Sequence, residues 1–273
     1  MLRGKINSFG SSDVGKVREH NEDTIGIDND IGLLVLADGM GGYKAGEVAS
    51  GIAVKTIMSL VKEAYEHQDM SAPDNESGLS RPSIVLRDAI TRANKIIYQT
   101  AKIQPQCEGM GTTVVACLFR NNRISVAHVG DSRMYRLRAN RYEQITLDHS
   151  LLQELVDRGF YSQAEAQRAS NKNYVTRALG VENTVDVEIH EYPVNKGDYY
   201  LLCSDGLSDM VEDEDIHLTI NTFGDNLETI AKQLIQLSND NGGRDNISVI
   251  LAQVMDSFAE RKGLIEKLLG WFN

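Results

Sequence analysis

What this 273-residue sequence lacks already narrows its class. It has only three cysteines, Cys107, Cys117 and Cys203, and these form no CxxC pair and no zinc-finger spacing. An odd, widely spaced set of thiols disfavours a disulfide framework or a structural zinc site and favours reduced cysteines. No stretch reaches the roughly 18 uncharged apolar residues of a membrane span, and the N-terminus has no apolar core of signal-peptide length. We therefore expect a cytoplasmic protein without a membrane span.

Basic charge is also scarce. The chain has 28 Lys+Arg against 39 Asp+Glu, a formal net charge of −11. A nucleic-acid-binding protein needs a basic stripe to meet phosphates, so this balance argues against that class. The remaining composition, with 41% hydrophobic and 25% charged residues, is that of an ordinary globular protein. The length fits one large domain or two small ones.

Hydrophobic spacing predicts both helices and strands. Apolar residues recur at helical intervals from Ala45 to Ala64 and from Ile84 to Ile97, which predicts two long amphipathic helices. Shorter helices are predicted at 150–159, 162–169, 214–220 and 227–237. Short apolar runs predict strands at 31–37, 112–119, 123–129, 185–192, 199–203 and 246–254, with a hairpin turn at 120–122. This order indicates an α+β layered domain rather than regular βαβ winding.

Four aspartates lie beside or within two residues of a glycine where predicted strands begin or end. They are Asp38, Asp131, Asp205 and Asp245. Any one of them is most simply a turn residue. If all four strand ends converge, however, the carboxylates would lie so close that they could not all stay ionised without a cation. Oxygen donors without histidine or thiolate partners favour Mg²⁺ or Mn²⁺ over zinc.

The order of short motifs along the chain is more specific than any of these aspartates. Residues 13–23 read D-x-G-x-x-R-x-x-N-E-D. There follow D-G-M-G-G at 38–42, G-T-T at 111–113, G-D-S-R at 130–133, D-H-S at 148–150, T-R-A-L-G at 176–180, S-D-G-L at 204–207 and G-G-R-D-N at 242–246. This series resembles the PPM (type 2C) metal-dependent protein Ser/Thr phosphatases, and the bacterial branch fits best.

The resemblance implies a fold and a domain organisation. The expected fold is a central β-sandwich of two antiparallel sheets flanked by helix pairs, with a flap subdomain. The phosphatase domain would span residues 1–256, with the flap at approximately 148–180. Residues 257–273 would form a short amphipathic tail, for which packing on its own domain is favoured over contact with a membrane.

The resemblance also implies a metal site and a reaction. Asp38 would bridge two metal ions, the Gly39 carbonyl would bind one of them, and Asp205 and Asp245 would bind the other. The ions, Mn²⁺ or Mg²⁺, would lower the pKa of a bridging water and neutralise charge on phosphorus. The resulting hydroxide would attack phosphoserine or phosphothreonine directly, without a phosphoenzyme. Catalysis would rest on positioning and electrostatics, as is usual in phosphoryl transfer.

Further residues receive roles by the same resemblance. Asp131, with Asp205 and Asp209, matches a third and weaker metal site. Glu22 and Asp23 would orient metal-bound waters. Arg18 matches the arginine that binds the substrate phosphate, a role suited to its planar fork of donors.

One residue departs from the pattern of eukaryotic relatives. They carry D-G-H-G-G, whose histidine is thought to protonate the leaving oxygen, whereas Met40 occupies that position here. A thioether cannot donate a proton, so a metal-bound water or another residue must act as general acid. His128 and His149 are the nearest candidates, although a lone histidine is more often a structural group.

The expected partners are phosphorylated proteins and an opposing bacterial Ser/Thr kinase, and the expected state is a monomer. Two other interpretations remain open. The same metal site could act on another phosphomonoester, or the fold could be a catalytically silent regulatory module. The intact set of Asp38, Asp205 and Asp245 disfavours the silent module, which would have no chemical need for them.

Overall fold

The computed structural model describes residues 2–42, 45–71, 78–162, 165 and 174–259. The elements in these ranges are, in chain order, β1 (Ile6–Asp13), β2 (Asp23–Asp28), β3 (Leu33–Met40), α1 (Ala45–His67), α2 (Arg81–Ile103), β4 (Gly111–Thr112), β5 (Val114–Arg120), β6 (Arg123–Val129), β7 (Arg133–Arg138), β8 (Arg141–Gln144), α3 (Leu151–Asp157), β9 (Glu188–Pro193), β10 (Tyr199–Cys203), α4 (Asp205–Ser208), α5 (Asp213–Phe223), α6 (Leu227–Asp240) and β11 (Ile247–Val254). Part of the predicted flap, the predicted helix at 162–169 except for residues 162 and 165, and the tail from residue 260 onward lie outside the described residues.

The strands form two antiparallel sheets. One has the order β1-β11-β10-β7-β8. The other has the order β2-β3-β5-β6-β9, and β4 pairs with the end of β3. Because β3 and β6 both pair antiparallel with β5, they run in the same direction, and their carboxyl ends reach the same end of the sheet.

The layers follow from the alternation of side chains along each strand. In β3, Leu34 and Leu36 face the other sheet, whereas Leu33, Val35 and Ala37 pack against α1 and α2. The outer face of the β1-containing sheet packs in the same way against α5 and α6. Strands covered on both faces read as continuous apolar runs, which is why β3, β5 and β11 are evident in the sequence.

These layers confirm the predicted α+β sandwich flanked by helices. Both long helices are present, and the predicted hairpin turns through Asn121 and Asn122, whose φ angles of 49° and 54° suit a two-residue turn with positive φ. Phe258, in the segment predicted as tail, is buried and stacks edge-on against Phe119 in the core. The described helices include none that is both long enough and apolar enough to cross a bilayer.

Several predicted boundaries were wrong. The predicted strand at 31–37 runs on through Met40, so Asp38 and Gly39 lie within a strand rather than in a turn. The predicted strand at 112–119 is interrupted after Thr112, because β4 pairs with β3 and Thr112 also bridges Leu179. Strand β9 begins at Glu188 rather than at 185. The sequence patterns also missed β1, β2, β7 and β8, which mix polar and apolar residues.

Candidate active site

Two adjacent strands place two carboxylates opposite each other. Asp23 begins β2 and pairs in register with Asp38 near the end of β3. Like charges directly opposite in a sheet are destabilising, and here both carboxylates are also largely removed from water. Burial is the main cause that raises the pKa of Asp23 to about 6. Hydrogen bonds from serine hydroxyls, including Ser204 Oγ at 2.9 Å, act in the opposite direction and lower this pKa. The pKa of Asp38 is raised well above its ordinary value, first by burial and then by repulsion from four nearby carboxylates, Asp23, Asp205, Asp131 and Asp245.

Three more strand ends supply the remaining aspartates. Asp131 follows β6, Asp205 follows β10 as the first residue of α4, and Asp245 precedes β11. The pKa of Asp205 is raised well above its ordinary value, first by burial and then by repulsion from the carboxylates of Asp131, Asp245 and Asp209. Burial and then Asp148 raise the pKa of Asp131 to about 6. The structure therefore brings the predicted metal-binding aspartates into one electrostatically coupled cluster, with Asp209 at its exposed side.

The backbone around Asp38 is held by the G-T-T segment. Thr112 Oγ1 donates to the Asp38 carbonyl at 2.7 Å, and the Thr113 amide donates to the same oxygen at 2.8 Å. The Asp38 amide in turn donates to Thr113 Oγ1 at 3.2 Å. With its main chain fixed on both sides, Asp38 has little freedom to move away from its neighbours.

Gly39 is required for close packing rather than for a turn. A Cβ on Gly39 would lie 2.2 Å from the Gly46 carbonyl oxygen and 2.5 Å from that of Glu22. The strand therefore passes directly against the first turn of α1, and the Glu22 carboxylate accepts a hydrogen bond from the Gly46 amide. The pKa of Glu22 is nevertheless raised, mainly by burial.

Arg18 lies at the mouth of the cluster. Its Nη2 donates to Asp245 Oδ2 at 2.6 Å, and this bond is the main cause that raises the pKa of Arg18. The arginine side chain remains about half exposed. The structure thus joins the predicted phosphate-binding residue directly to a predicted metal ligand.

The cluster has the chemistry of a hard-cation site. Asp23 Oδ1 and Asp205 Oδ1 are buried, and neither has a hydrogen-bond partner. An unpaired buried carboxylate oxygen is costly unless a cation meets it. All the candidate donors are oxygens, which suits Mn²⁺ or Mg²⁺. In the described ranges, no three carboxylates of the cluster each place an oxygen within 4.8 Å of the other two, so these side chains would have to draw inward around an ion.

One group in the described part of the chain does meet that spacing, and none of its three members is an aspartate of the acidic cluster. It consists of His128 on β6, Glu188 opposite it on β9, and His149 just before α3. The Gly130 amide donates to His149 Nδ1 at 3.2 Å, which places the proton on Nε2, and Nε2 donates to Glu188 Oε2 at 3.1 Å. His149 therefore offers no lone pair toward a metal, and we interpret the group as a structural network.

His128 belongs to the same network. Its Nε2 lies 2.7 Å from the Leu147 carbonyl, and its ring stacks on that of His149 with centroids 4.6 Å apart. Both histidines are buried, and burial lowers the pKa of His128. These contacts favour a structural role over that of general acid for either residue.

A cavity of about 310 Å³ lies beside the acidic cluster. Asp131 and Asp205 line one part of it, and residues from Leu147 to Gln153, around the start of the predicted flap, line another. The Arg133 side chain in its wall is already paired with both oxygens of Asp148, at 2.7 to 3.0 Å. The cavity is therefore strongly acidic, and it offers space for a substrate next to the aspartates.

The sequence reasoning missed several residues that support the site. Thr112, Thr113, Ser204 and Asn246 lie within quoted motifs but received no role. The two threonines bond to the main chain of Asp38, Ser204 bonds to the carboxylate of Asp23, and Asn246 bonds to the carboxylate of Asp245. The motifs were the available signal, but the partners of Thr112, Thr113 and Ser204 lie far away in sequence and cannot be deduced without the fold.

Comparison with known proteins finds relatives that match this chain over most of its length. Residues 15–252 match the family described as Protein phosphatase 2C. The chain is 38% identical over 246 residues to the serine/threonine phosphatase stp of Listeria welshimeri, which covers 89% of this chain and 93% of that protein. The crystal structure of the Mycobacterium tuberculosis serine/threonine phosphatase PstP/Ppp superposes with a TM-score of 0.81 at 37% identity, covering 92% of this chain and 99% of that one. The catalytic domain of PstP in complex with two manganese ions gives a TM-score of 0.75 at 38% identity, with the same coverage.

Proposed function

Since the chain belongs to the protein phosphatase 2C family of metal-dependent serine/threonine phosphatases, we propose that its acidic cluster is the catalytic site and that its substrates are phosphoserine and phosphothreonine in proteins. The observation that carries this proposal is the convergence, from separate strand ends, of four buried or partly buried aspartates with raised pKa values. Two of their buried oxygens have no partner, as expected where a cation or its bound solvent belongs.

We assign the metal ligands as the motifs suggest. Asp38 would bridge two ions, Gly39 would contribute its carbonyl, and Asp205 and Asp245 would complete the pair. Asp131 and Asp209 would hold a third ion with Asp205. When bound, Mn²⁺ or Mg²⁺ supplies Lewis acidity that lowers the pKa of water and offsets charge on the phosphoryl group. The manganese pair in the PstP structure supports this choice of metal.

The chain's own groups then position the substrate and solvent. The bond from Arg18 to Asp245 uses one of the five N–H donors of the guanidinium, so others can bind phosphate oxygens. Glu22 and Asp23, which lie beside Asp38 and Gly39, would orient solvent by hydrogen bonding. Met40 cannot supply a proton to the leaving oxygen, and His128 and His149 are engaged elsewhere. We therefore propose that the leaving oxygen takes its proton from solvent held in the site.

Hydrolysis of p-nitrophenyl phosphate tests the site. Activity should require Mn²⁺, disappear with EDTA and be abolished by Asp38→Ala. Asp225→Ala is a matched control, because Asp225 bonds to Tyr199 at the opposite end of β10 from Asp205. Activity that persists in chelator, or equal losses in both variants, would contradict the metal site.

A panel of substrates separates the proposed function from its alternatives. Phosphoserine and phosphothreonine peptides should be hydrolysed with a higher kcat/KM than phosphohistidine or small phosphomonoesters. A preference in the other direction would favour a different phosphohydrolase. Substrate binding without any turnover would favour the silent regulatory module.

We further propose an opposing Ser/Thr kinase, a monomeric state and a cytoplasmic location. A phosphatase of this specificity requires a kinase that forms its substrates, and the three cysteines are all free and buried. Phosphoproteomes with and without the protein would reveal shared kinase targets. Light scattering should give the 30.2 kDa mass of one chain, and cell fractionation tests the location.

A further inference from the structure

A single buried amide connects three segments of the proposed site. Asn246 is 5% exposed, and its side chain uses both of its amide protons and its oxygen. Nδ2 donates to the carbonyls of Val14, at 3.0 Å, and His20, at 2.9 Å. Oδ1 accepts from the Glu22 amide at 2.7 Å. The partners lie more than 220 residues away in sequence, so these contacts are a product of the fold.

The main chain of Asn246 contacts Asp245 and the segment that carries Asp205. Its amide donates to Asp245 Oδ1 at 2.8 Å, and its carbonyl accepts from Ser204 Oγ at 3.3 Å. The segment that carries Asp205 packs directly on it, since a Cβ on Gly206 would lie 2.0 Å from the Asn246 carbonyl oxygen. Asn246 is therefore in contact with the segments that supply two proposed metal ligands.

The loop of residues 14–20 is held at both ends by this one side chain, and Arg18 lies between the two anchors. The middle of the loop contacts the segment of residues 242–246, which includes Asn246, because the amides of Lys16 and Val17 donate to the Gly243 carbonyl at 2.7 and 3.2 Å. A Cβ on Gly15 would lie 2.2 Å from the Asp245 carbonyl oxygen, so the two backbones are in close contact. The position of the arginine relative to Asp245 thus depends on contacts centred on Asn246.

We propose that Asn246 is a positioning residue, which holds the Arg18 loop in register with Asp245 so that the phosphate-binding arginine and the metal ligands act on the same phosphoryl group. The inference rests on the proposed function. Asn246 itself would not touch the substrate. Its loss should therefore act through Arg18, by weakening phosphate binding, rather than by removing a reacting group.

A double-mutant cycle tests this dependence. KM for a phosphothreonine peptide, kcat, and the inhibition constant of orthophosphate are measured with saturating Mn²⁺ for Asn246→Ala, Arg18→Ala and the double variant. In the parent background, Asn246→Ala should raise KM and the orthophosphate constant about tenfold, the effect of one lost hydrogen bond to a charged group. In the Arg18→Ala background the same change should raise them less than about twofold, since the arginine is already gone.

Asn94→Ala is the matched control for losing a buried asparagine. Asn94 is also fully buried and also makes three side-chain contacts, to the Glu182 and Asn183 carbonyls and from the Gly180 amide, but none with the Arg18 loop. Any effect of Asn94→Ala on KM should be equal with and without Arg18. Equal effects of Asn246→Ala in both backgrounds would overturn the proposal.

Two further measurements guard against a variant that does not fold. Asn246→Asp keeps the acceptor for the Glu22 amide but loses both donors, so it should repeat the pattern of Asn246→Ala. In the unaltered protein, orthophosphate with Mn²⁺ should slow hydrogen exchange at the Glu22 amide, and unchanged exchange during saturation would count against the proposal. A parent protein that neither hydrolyses the peptide nor binds orthophosphate would instead contradict the proposed function.

Discussion

Replacing Asp131 by asparagine should stabilise the metal-free protein at neutral pH. Asp131 is 8% exposed, and burial together with Asp148 raises its pKa from 3.8 to about 6. The folded chain therefore binds this proton more tightly than the unfolded chain, so stability falls as the pH rises from about 4 to about 6 and stays reduced above it. This difference in pKa between the unfolded and the folded chain corresponds to about 3 kcal/mol of stability. Asparagine keeps the shape and an acceptor oxygen but carries no charge, so the variant should avoid this loss.

Thermal unfolding in EDTA at pH 7.5 and pH 4 measures the effect. At pH 7.5 the variant should melt roughly 6–12 °C above the parent protein, from the usual 2–4 °C per kcal/mol for a chain of about this size. At pH 4 the gain should largely disappear, because the parent carboxylate is then protonated. Asp225→Asn is the control: hydrogen bonds from Tyr199 and Gln253 lower the pKa of Asp225, so its loss should give no gain. Equal gains at both pH values, or none at pH 7.5, would refute the reasoning.

Three other changes have definite expected outcomes. Gly39→Ala should lower the free energy of unfolding, measured in urea, by about 1–3 kcal/mol, because the new Cβ would clash with the Gly46 carbonyl. Calorimetry should also show weaker Mn²⁺ binding. Gly51→Ala is the control, since Gly51 faces open space on α1 and its replacement should be neutral or stabilising. Arg18→Lys keeps the charge but loses the planar fork, so kcat/KM on a phosphopeptide should fall by roughly tenfold, and parent-level activity would contradict the phosphate contact. Arg177 lies in the predicted flap and is about half exposed, and Arg177→Ala should reduce activity on phosphopeptides more than on p-nitrophenyl phosphate. Equal losses on both substrates would exclude a role in substrate selection.

The elements that could be predicted from the sequence were those with a continuous or strongly periodic apolar pattern. Strand β10 was predicted at 199–203, where it lies, and β6 likewise at 123–129. Strand β1 (Ile6–Asp13) was missed because its residues are mostly small or polar, and they become part of the sheet through pairing with β11, far away in sequence. Strand β7 (Arg133–Arg138) was missed because three arginines interrupt its apolar residues, and each of them finds an acidic partner in the fold.

The sequence alone determined which chemical groups this protein carries, because the ordered motifs from Asp13 to Asn246 supply oxygen donors and an arginine. It also indicated a layered fold, because local apolar periodicity can be read directly from residue type. Only the tertiary structure decided how these groups are related. It placed Asp23 opposite Asp38, joined Arg18 to Asp245, and gave Asn246 its partners. It also engaged His128 and His149 in contacts with Leu147, Gly130 and Glu188. Such relations depend on contacts between residues far apart in the chain, and strand pairing and packing alone bring those residues together.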